Sequence, residues 1–373
     1  MDKPLETRLE INLKALKHNF EVIKSHLKPE TKIMGVVKAY AYGSDSVIIG
    51  KTLQSLGASY LAVAYIEEGV RLRKAGIKCP ILIFYPQLEE LSQLLEFELT
   101  PSVYSFHFLK SLHQDLKRQG FKNFPIHLKI NTGMNRLGFD EHQFEDVKTC
   151  LSDRQTLKLK GIFSHLAAAG MTEEKKFSQM QIQKFESAVK VFEAYAHHDL
   201  TTHLCNSSGI LNYAEAEMDM VRVGIALYGY GNHPKEHQKL KPVASLKAPI
   251  AQLRWIAKGD SVGYDRKFKA QNKRQIATLP LGYADGISRI YGNGNGIVKL
   301  HGNTAPIVGN VCMDTLMVDV TDIDCQEGDE VLIFGEGHTA LDFDINQRSI
   351  PYELITRISQ RVSRIVIDKL QEI

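Results

Sequence analysis

The sequence predicts an α/β protein with two domains, an N-terminal (β/α)8 barrel of the TIM type followed by a C-terminal, mainly β domain. Two observations predict the barrel: short β-rich runs alternate with helical segments, and eight such runs precede residue 239. The third observation is a change of pattern after His233 and Pro234, where strand-like runs divided by glycines replace the alternation. We therefore expect residues 1–238 to form the barrel and residues 239–373 to form the β domain.

The predicted elements follow one another in a simple order. A helix-like segment opens the chain at about residues 11–27, and each β-rich run is followed by a segment long enough to return over the outside of a barrel. The predicted barrel strands are residues 33–38, 60–64, 81–85, 99–103, 126–130, 159–164, 201–205 and 220–226. The predicted strands of the β domain are residues 275–279, 296–300, 305–311, 316–320 and 330–334. The apolar periodicity of residues 173–195 predicts an amphipathic helix, and a last helix is predicted at about residues 351–370.

Composition and charge exclude several kinds of function. Charged residues make up 24% of the chain and the formal net charge is only +3, so we expect neither a nucleic-acid nor a membrane partner. The five cysteines are scattered and never spaced as a metal knuckle or redox pair, which predicts reduced, packed thiols and no metal site. No apolar leader follows the N-terminus, and no stretch is long and apolar enough to span a bilayer. We expect a cytoplasmic enzyme with a small-molecule substrate.

The most informative run is residues 36–43, in which an apolar strand ends in Lys38 and leads into a helix start at Ser44. Catalytic groups of a (β/α)8 barrel come from the C-terminal ends of its strands. Partial burial at such a position lowers the pKa of a lysine amine and frees the amine to condense with a carbonyl, so Lys38 is a candidate for holding an aldehyde cofactor. The alternative is that Lys38 only extends its amine into water.

Other polar residues follow the predicted strands and belong to the same end of the barrel. They are Arg136 after the fifth strand, His165 at the end of the sixth, Asn206 and Ser207 at the end of the seventh, and Arg222 and Gly224 at the eighth. Taken alone, His165 is compatible with a core histidine and Arg222 with a structural ion pair. Together with the hydroxyl of Tyr42 and the hydroxyls and amides near Ser207 and Ile225, they describe an amine, a phosphate anchor and two guanidiniums around one cavity. Pyridoxal 5'-phosphate fits this set of groups.

A series of longer motifs carries a family resemblance. In order they are VVKAYAYG from Val36, KINTGMNRLGF from Lys129, GIFSHLA from Gly161, NSSG from Asn206, MVRVGIALYG from Met220, VGY at Tyr264, LPLGYADGISR from Leu279, GNVCMDTLMVD from Gly309 and IPYELITRISQRVSR from Ile350. With these motifs the chain resembles the alanine racemases, a family of fold-type III pyridoxal-phosphate enzymes, over essentially its whole length. The resemblance implies interconversion of L-alanine and D-alanine, which supplies D-alanine for peptidoglycan.

The resemblance also implies a two-base mechanism. Lys38 corresponds to the residue that binds the cofactor aldehyde and then moves the α-proton on one face of the substrate, and Tyr264 corresponds to the base on the opposite face. His165 and Arg222 are implied to lower the pKa of Tyr264 through a hydrogen-bonded chain. Arg222 also corresponds to the arginine that faces the pyridine nitrogen, where a guanidinium keeps its proton. The implied catalytic residues are therefore Lys38, Tyr264, His165 and Arg222.

Further site residues are carried over from the same resemblance. The implied cofactor contacts are Lys38, Tyr42, Arg136, His165, Asn206, Ser207, Arg222, Gly224, Ile225 and Tyr352. The implied substrate contacts are Arg136, Met313 and Tyr283, and Arg289 is implied to line the access channel with Tyr283. Lys129 corresponds to a lysine that is often carbamylated in the family; the alternative is an ordinary strand-end lysine. Tyr264 and Met313 are implied to reach the barrel of a second subunit, which predicts a homodimer with composite sites.

Five positions depart from the common pattern of the family. The first motif more often continues as Asn-Ala-Tyr-Gly-His-Gly, whereas this chain carries Tyr40, Ser44 and Asp45 in that stretch. Asn131 stands where an aspartate is frequent, and Asp265 follows Tyr264 where glycine is usual. We expect these differences to affect pocket detail and substrate breadth, not the reaction itself.

Three alternatives remain at this point. The first is a racemase with broader specificity for small amino acids such as serine, because a methyl pocket discriminates by only about 1 to 3 kcal/mol per added methylene. The second is a pyridoxal-phosphate decarboxylase for a basic amino acid, but the sequence offers neither a glycine-rich phosphate loop nor an acidic pocket for a distal amine. The third is a barrel that only binds the cofactor, and such proteins lack a second domain. A pure scaffold has the least support, because it explains none of the polar residues clustered at the strand ends.

Overall fold

The computed structural model describes residues 6–153, 155–196, 200–346 and 348–368. These residues fall into two compact units. The barrel unit consists of Lys17–Ala41 and Ser46–Leu240, and the sheet unit takes its residues from Met1–Leu16, Tyr42–Asp45 and Lys241–Ile373. The sequence assigned all of residues 1–238 to the barrel. The structure instead places two short segments of that range in the sheet unit.

Eight parallel strands form the barrel unit. Strand β1 (Arg8–Asn12) lies outside it, and the barrel strands are β2 (Lys32–Val36), β3 (Tyr60–Val63), β4 (Ile81–Ile83), β5 (Thr100–Val103), β6 (Phe124–Lys129), β7 (Leu157–Phe163), β8 (Thr201–His203) and β9 (Met220–Val223). They are hydrogen-bonded in the order β8-β7-β6-β5-β4-β3-β2-β9. The backbone N–H of Arg222 donates to the carbonyl of Cys205 at 3.0 Å, so the two ends of the sheet meet and nearly close the barrel. The predicted eight-stranded barrel is confirmed.

Helices precede, connect and follow the barrel strands. They are α1 (Leu13–Lys24), α2 (Ser46–Ser55), α3 (Ile66–Lys74), α4 (Leu91–Glu96), α5 (Phe106–Arg118), α6 (Phe144–Cys150), α7 (Lys175–Ala196), α8 (Ser207–Asn212) and α9 (Pro234–His237). Helix α7 confirms the helix predicted for residues 173–195, and its Phe185 and Phe192 are fully buried, as the apolar periodicity requires. Most residues of the barrel strands are buried because helices cover the outside and packed side chains fill the inside.

The sheet unit contains the predicted mainly β architecture. Its remaining strands are β10 (Ala244–Pro249), β11 (Gln252–Ile256), β12 (Ser261–Val262), β13 (Phe268–Lys269), β14 (Arg274–Leu279), β15 (Ile297–Leu300), β16 (Asn303–Val308), β17 (Leu316–Asp319), β18 (Glu330–Phe334) and β19 (Ser363–Ile367). A nine-stranded sheet has the order β11-β14-β17-β16-β15-β18-β10-β1-β19, and β12 pairs with β13. Two short helices, α10 (Ala340–Phe343) and α11 (Pro351–Thr356), complete the unit.

The N-terminal strand β1 joins this sheet through charge as well as backbone pairing. It runs antiparallel to β10 and parallel to β19. Glu10 of β1 accepts from Arg8 at 2.8 Å and from Lys247 of β10 at 2.9 Å. Lys247 also contacts Glu330 of β18 at 3.1 Å, and Arg8 pairs with Glu330. Partners more than 200 positions away in the sequence therefore fix β1, which is why local patterns assigned it to the barrel.

The helix predicted for residues 351–370 is wrong over its second half. Helix α11 ends at Thr356, and strand β19 takes the place of the continuation, while residues 369 and 370 lie outside the described residues. Ile365, Val366 and Ile367 are β-branched and favour a strand, and each of them pairs in register with a residue of β1. The strand could be recognised only with its partner, and that partner lies at the other end of the chain.

A turn of left-handed backbone follows strand β2. Ala39, Tyr40, Ala41 and Tyr42 have φ values of 52°, 58°, 52° and 53°. Residues with a Cβ atom pay about 1 to 2 kcal/mol each for this conformation, so four in succession are a marked local strain. The strain comes directly after Lys38. Strained backbone of this kind persists only where the surrounding structure holds it in place.

Candidate active site

Lys38 lies just beyond the C-terminal end of β2, as the sequence predicted, and its side chain is half-buried. Its amine is 6.0 Å from the centre of the Phe84 ring. Burial lowers the pKa of the Lys38 amine, the positive charge of Arg136 lowers it further, and the carboxylate of Glu68 opposes both effects. A larger share of the amine is therefore unprotonated near neutrality than in a free lysine, which is the form that can attack a carbonyl.

Arg222 on β9 places a fully buried guanidinium at the same end of the barrel. Its Nη1 donates to the carbonyl and to the Nδ1 of His203 at 2.8 and 3.0 Å. Its Nη2 donates to the carbonyls of Ser164 and Leu204 at 2.6 and 3.1 Å. These acceptors are uncharged, so burial lowers the pKa of Arg222 to about 10, and the group is still a cation at neutral pH.

His165 stands between two donors. Its Nδ1 lies 3.2 Å from Nη2 of Arg222, and its Nε2 lies 3.3 Å from Nδ2 of Asn206. Burial and the charge of Arg222 hold the pKa of His165 well below its usual value. The imidazole is therefore neutral in the folded protein, and its environment disfavours uptake of a proton.

Lys129 ends strand β6 beside the same groups. Its amine lies 4.9 Å from the centre of the Phe163 ring, and the guanidinium carbon of Arg222 lies 5.3 Å from that ring. Burial, Arg222 and Arg136 together hold the pKa of Lys129 well below its usual value. Arg136 itself is exposed, and its charge acts on Lys38, Lys129 and His165 alike. The structure thus brings these predicted cationic and imidazole residues into one cluster.

Asn206 and Ser207 begin helix α8 directly after the end of β8. The Oδ1 of Asn206 accepts from the N–H of Gly209 at 2.9 Å and caps the helix. The buried Ser207 hydroxyl oxygen accepts from the backbone N–H groups of Gly224 and Ala226 at 3.2 and 3.3 Å. Its own hydrogen remains available for an acceptor, and the amide of Ile225 lies between the two that it binds. A hydroxyl and a run of backbone amides in this arrangement suit an anionic group.

Two buried histidines behind Arg222 were missed by the sequence analysis. Because Nη1 of Arg222 donates to Nδ1 of His203, the proton of His203 must be on Nε2. That N–H then donates to Nδ1 of His127 at 2.8 Å, which leaves the proton of His127 on its own Nε2. Among the described residues this last nitrogen has no hydrogen-bond partner. The chain of imidazoles therefore supports Arg222 from inside the barrel, and both rings must stay neutral to do so.

The buried histidines predict acid sensitivity. Burial lowers the pKa of His127 to about 3, so between pH 6.5 and 3 the unfolded chain binds a proton that the folded chain does not. The free energy of unfolding should fall as pH falls in this range, by about 1.4 kcal/mol per pH unit for each such histidine. His127→Gln keeps an acceptor for His203 and should make the slope shallower by that amount, as measured by urea unfolding of the cofactor-free protein from pH 7 to 5.

A matched control is His26→Gln, which removes an exposed histidine and should leave the slope unchanged. An unaltered slope in His127→Gln would show that the buried ring is not the group that takes up the proton.

The sheet unit holds the other predicted site residues. Tyr42 is buried, and its ring centre lies 6.1 Å from that of the half-buried Tyr352. Burial raises the pKa of Tyr42, and Tyr352 raises it further. The hydroxyl of Tyr42 is therefore fully protonated at neutral pH and can serve as a donor.

Tyr264 is 69% exposed, which is the largest exposure of any bulky apolar or aromatic side chain described in the protein. The next residue, Asp265, has a φ of 61°. This left-handed conformation explains why glycine suits the position, since glycine adopts it without cost. In this chain the carboxylate of Asp265 accepts from Arg289 at 3.0 Å and from Asn310 at 3.1 Å, and Asn310 also donates to the carbonyl of Tyr264 at 3.2 Å.

Tyr283 and Met313 lie on adjoining segments of the sheet unit. The N–H groups of Tyr283 and Ala284 donate to the carbonyls of Cys312 and Met313, each at 3.0 Å. The approach requires glycine at position 282, because a Cβ there would lie 2.3 Å from the carbonyl oxygen of Met313. Tyr283 and Met313 are 44% and 54% exposed, so both side chains are accessible on the surface of this unit.

Comparison with known protein families shows the family to which the chain belongs. A family model described as the N-terminal domain of alanine racemase matches residues 11–232, and one described as its C-terminal domain matches residues 243–366. The chain belongs to the alanine racemase family. An alanine racemase 2 from Caldanaerobacter subterraneus subsp. tengcongensis is 38% identical, and the alignment covers 98% of this chain and 96% of that protein.

Solved structures of alanine racemases share the fold over the full length. That of Clostridium difficile 630 superposes with a TM-score of 0.91 at 34% identity, covering 100% of this chain and 98% of the other. That of Bartonella henselae, described with covalently bound pyridoxal phosphate, gives a TM-score of 0.85 at 29% identity and covers 98% and 100% of the two chains. The protein is thus an isomerase of the alanine racemase family by both sequence and fold.

Two further observations concern the described part of the chain. No helix in it combines the length and the apolar character needed to cross a bilayer. Within the same residues, no three or more histidine, cysteine, aspartate or glutamate side chains are grouped in a way that could hold a metal ion.

Proposed function

We propose that the protein interconverts L-alanine and D-alanine with pyridoxal 5'-phosphate as its cofactor. The observation that carries the proposal is the pairing of an amine with a lowered pKa, on Lys38, and a buried uncompensated guanidinium, on Arg222, at one end of a barrel of the alanine racemase family. The amine suits attachment of an aldehyde. The guanidinium suits a ring nitrogen that accepts a hydrogen bond without receiving a proton.

Residues of the protein can be assigned to each polar group of this cofactor. Lys38 would hold its aldehyde carbon, Arg222 would face its pyridine nitrogen, and Arg136 would contact its phenolic oxygen. The residues we propose for its phosphate and surroundings are Tyr42, His165, Asn206, Ser207, Gly224, Ile225 and Tyr352. When bound, the cofactor supplies the electron sink that makes the α-carbon of an amino acid acidic.

The protein's own residues would then move the α-proton. Inversion at a carbon needs an acid or base on each face, and we assign Lys38 to one face and Tyr264 to the other. Lys38 begins with a lowered pKa, which suits a base that works near neutrality. We assign the support of Tyr264 to Arg222, whose positive charge favours a phenolate, and to the neutral imidazole of His165 between the two groups.

The proposed substrate site is small. Arg136 presents a planar pair of donors for the substrate carboxylate, and the backbone amide of Met313 adds a third donor. Tyr264 and Tyr352 would limit the space for the side chain, so alanine fits best. A hydroxymethyl group is only slightly larger than a methyl group, which favours slow turnover of serine as the second activity to be tested.

We propose that two copies of the chain form a homodimer in which each sheet unit completes the partner's site. The large exposure of Tyr264, Met313 and Tyr283 supports this arrangement, because bulky side chains left accessible on one unit are common at interaction surfaces. Lys129 is proposed to carry a carbamate. Its lowered pKa favours the neutral amine that this reaction with carbon dioxide requires, and the product would place an anion near the cations of Arg136 and Arg222.

The test is the optical rotation of L-alanine over time with the purified protein and pyridoxal phosphate, with L-serine run in parallel. Decay of the alanine signal to zero at a rate well above that of serine supports the proposal. Comparable rates would favour a broader racemase. Release of carbon dioxide from a basic amino acid without loss of rotation by alanine would replace the proposal with a decarboxylase.

The cellular setting is part of the same proposal. All five cysteines are free, which suits a reducing compartment, and we place the enzyme in the cytoplasm. D-alanine formed there would serve peptidoglycan synthesis. Deletion of the gene should then make growth depend on added D-alanine, unless a second racemase is present in the cell.

A further inference from the structure

The left-handed turn after Lys38 must be stabilised by contacts with other residues of the barrel unit. Ala39, Tyr40 and Ala41 all have positive φ values, and none of them is glycine. Each therefore has a Cβ atom that disfavours the conformation. Something outside the turn must hold it, because an isolated stretch of this sequence would relax to an ordinary right-handed or extended backbone.

Glu68 of helix α3 provides one contact to the turn. Its Oε1 accepts from the backbone N–H of Ala39 at 2.6 Å. Its Oε2 accepts from the backbone N–H groups of Ala64 and Tyr65 at 2.7 and 3.2 Å. One carboxylate thus joins the residue after Lys38 to the segment that follows strand β3. Hydrogen bonds from N–H groups to an ionised carboxylate are shorter and stronger than those between neutral groups.

Arg71 of the same helix provides a second contact. It lies three residues after Glu68, which places the two side chains on one face of α3. The guanidinium carbon of Arg71 is 5.1 Å from the centre of the Tyr40 ring, in the range of a cation–π interaction. Helix α3 therefore contacts two successive residues of the strained turn, one through its backbone and the other through its side chain.

We propose that Glu68 is a positioning residue for Lys38, and that its carboxylate, with support from Arg71, holds the left-handed turn that sets the direction in which the Lys38 side chain leaves strand β2. The inference rests on the proposed function, since it gives the turn a purpose only if the Lys38 amine must meet a cofactor. Glu68 would touch neither the cofactor nor the substrate.

A simple helix cap does not explain the arrangement. The bonds from Ala64 and Tyr65 to Oε2 satisfy amides at the start of α3, as capping carboxylates commonly do. The bond from Ala39 to Oε1 serves no amide of that helix. Glu68 is also the acidic group that raises the pKa of Lys38, against the lowering effects of burial and Arg136. Lys38 in turn is one of the cations that lower the pKa of His165.

Glu68→Gln tests whether Glu68 holds the turn as well as capping helix α3, because glutamine has nearly the same shape as glutamate. A glutamine has one oxygen and one NH2 group, so it can accept from Ala39 or from the two helix amides, but not from both sets. Glu67→Gln is the matched control, since Glu67 precedes Glu68 in the same first turn and is exposed.

The first measurement is amide hydrogen exchange of the cofactor-free protein in a peptide covering residues 37–42. We expect exchange in Glu68→Gln to be at least about tenfold faster than in the wild type, because the turn opens more readily. Glu67→Gln should match the wild type. Arg71→Met removes the contact with Tyr40 and should accelerate exchange by a smaller factor, about threefold, which provides a second reading if Glu68→Gln does not fold.

The second measurement is the pH dependence of acetic anhydride labelling of Lys38, again without cofactor. Loss of the Glu68 charge removes an influence that favours the protonated amine, so labelling at pH 7 to 8 should rise by about threefold in Glu68→Gln and stay unchanged in Glu67→Gln. This change reports the charge of Glu68 near Lys38, whereas exchange in residues 37–42 reports its bond to Ala39. Wild-type exchange in Glu68→Gln would overturn the proposal, whatever the labelling profile.

These outcomes are independent of the proposed activity. If the wild type fails to racemise alanine while Glu68→Gln shows faster exchange and labelling, the proposed function fails, but the finding that Glu68 holds the turn remains. If the wild type is an active racemase and the variant shows neither change, the reverse holds. In an active enzyme the variant should lose about tenfold or more in kcat with little change in KM, since a misdirected amine weakens proton transfer more than substrate binding.

Discussion

Lys38→Ala should lower the racemisation rate by about a thousandfold or more and should end covalent retention of pyridoxal phosphate. The variant lacks both the amine that would hold the cofactor aldehyde and the base on one face of the substrate. Borohydride treatment followed by peptide mass spectrometry measures the attachment, and optical rotation of alanine measures the rate. In the wild type the mass of the reduced cofactor should be found on Lys38.

Lys32→Ala is the matched control for this experiment. Lys32 is exposed at the start of β2, the same strand that leads to Lys38, so its loss should leave both readings unchanged. A small primary amine such as methylamine should restore part of the rate to Lys38→Ala, because it can replace the missing proton carrier. Retention of the cofactor as a covalent adduct in Lys38→Ala would remove Lys38 from its assigned role.

The barrel could be predicted from the sequence because short β-rich runs alternate with helical segments along the chain. Each of the eight predicted runs overlaps one of the observed strands, and five of them contain the whole strand, including the three residues of β8. The elements that were misread depend on distant partners. Strand β1 lies in the sheet unit because it pairs with β10 and β19, and the β-branched end of the chain forms β19 for the same reason.

Some site residues could be predicted from the sequence, and others depend on distant partners. Lys38, His165 and Arg222 were found because they stand near the C-terminal ends of the predicted barrel strands, where barrel enzymes carry their catalytic groups. His127 lies within strand β6 and His203 ends the short strand β8, and a single histidine in a strand gives no local sign of its partner. Their side chains meet only when the barrel closes. Alternation of inward and outward positions along β6 is the one signal that would have directed His127 toward Arg222.

Glu68 was overlooked for a different physical reason. A glutamate in the first turn of a helix is expected on grounds of the helix dipole alone, so the sequence gives no cause to look further. Its bond to Ala39 depends on the left-handed turn, and the sequence of that turn, with two alanines and two tyrosines, gives no warning of positive φ values. The unusual Tyr40 gains a partner in Arg71, and the unusual Asp265 gains partners in Arg289 and Asn310. At both positions the residue that departs from the family pattern thus makes its own contacts with neighbouring side chains.

Tyr264→Phe should lower racemisation by about a thousandfold while leaving cofactor attachment intact. Phenylalanine keeps the ring but removes the hydroxyl that would act as the base on the second face. Exchange of the α-proton with deuterated water should persist for one enantiomer, through Lys38, and be lost for the other. Proton nuclear magnetic resonance of each enantiomer measures this directly. Equal exchange from both would contradict the two-base assignment.

Tyr283→Phe is the matched control, because Tyr283 is an exposed tyrosine of the same unit that is assigned to the substrate pocket and not to proton transfer. It should change the rate by less than about tenfold and affect both enantiomers equally. Tyr264→Phe also tests the composite site. Mixed and reassembled with Lys38→Ala, it should regain about a quarter of wild-type activity, since half of the dimers would be hybrids and each hybrid would hold one intact site. Sites built from a single chain would regain none, because each chain would still carry its own defect.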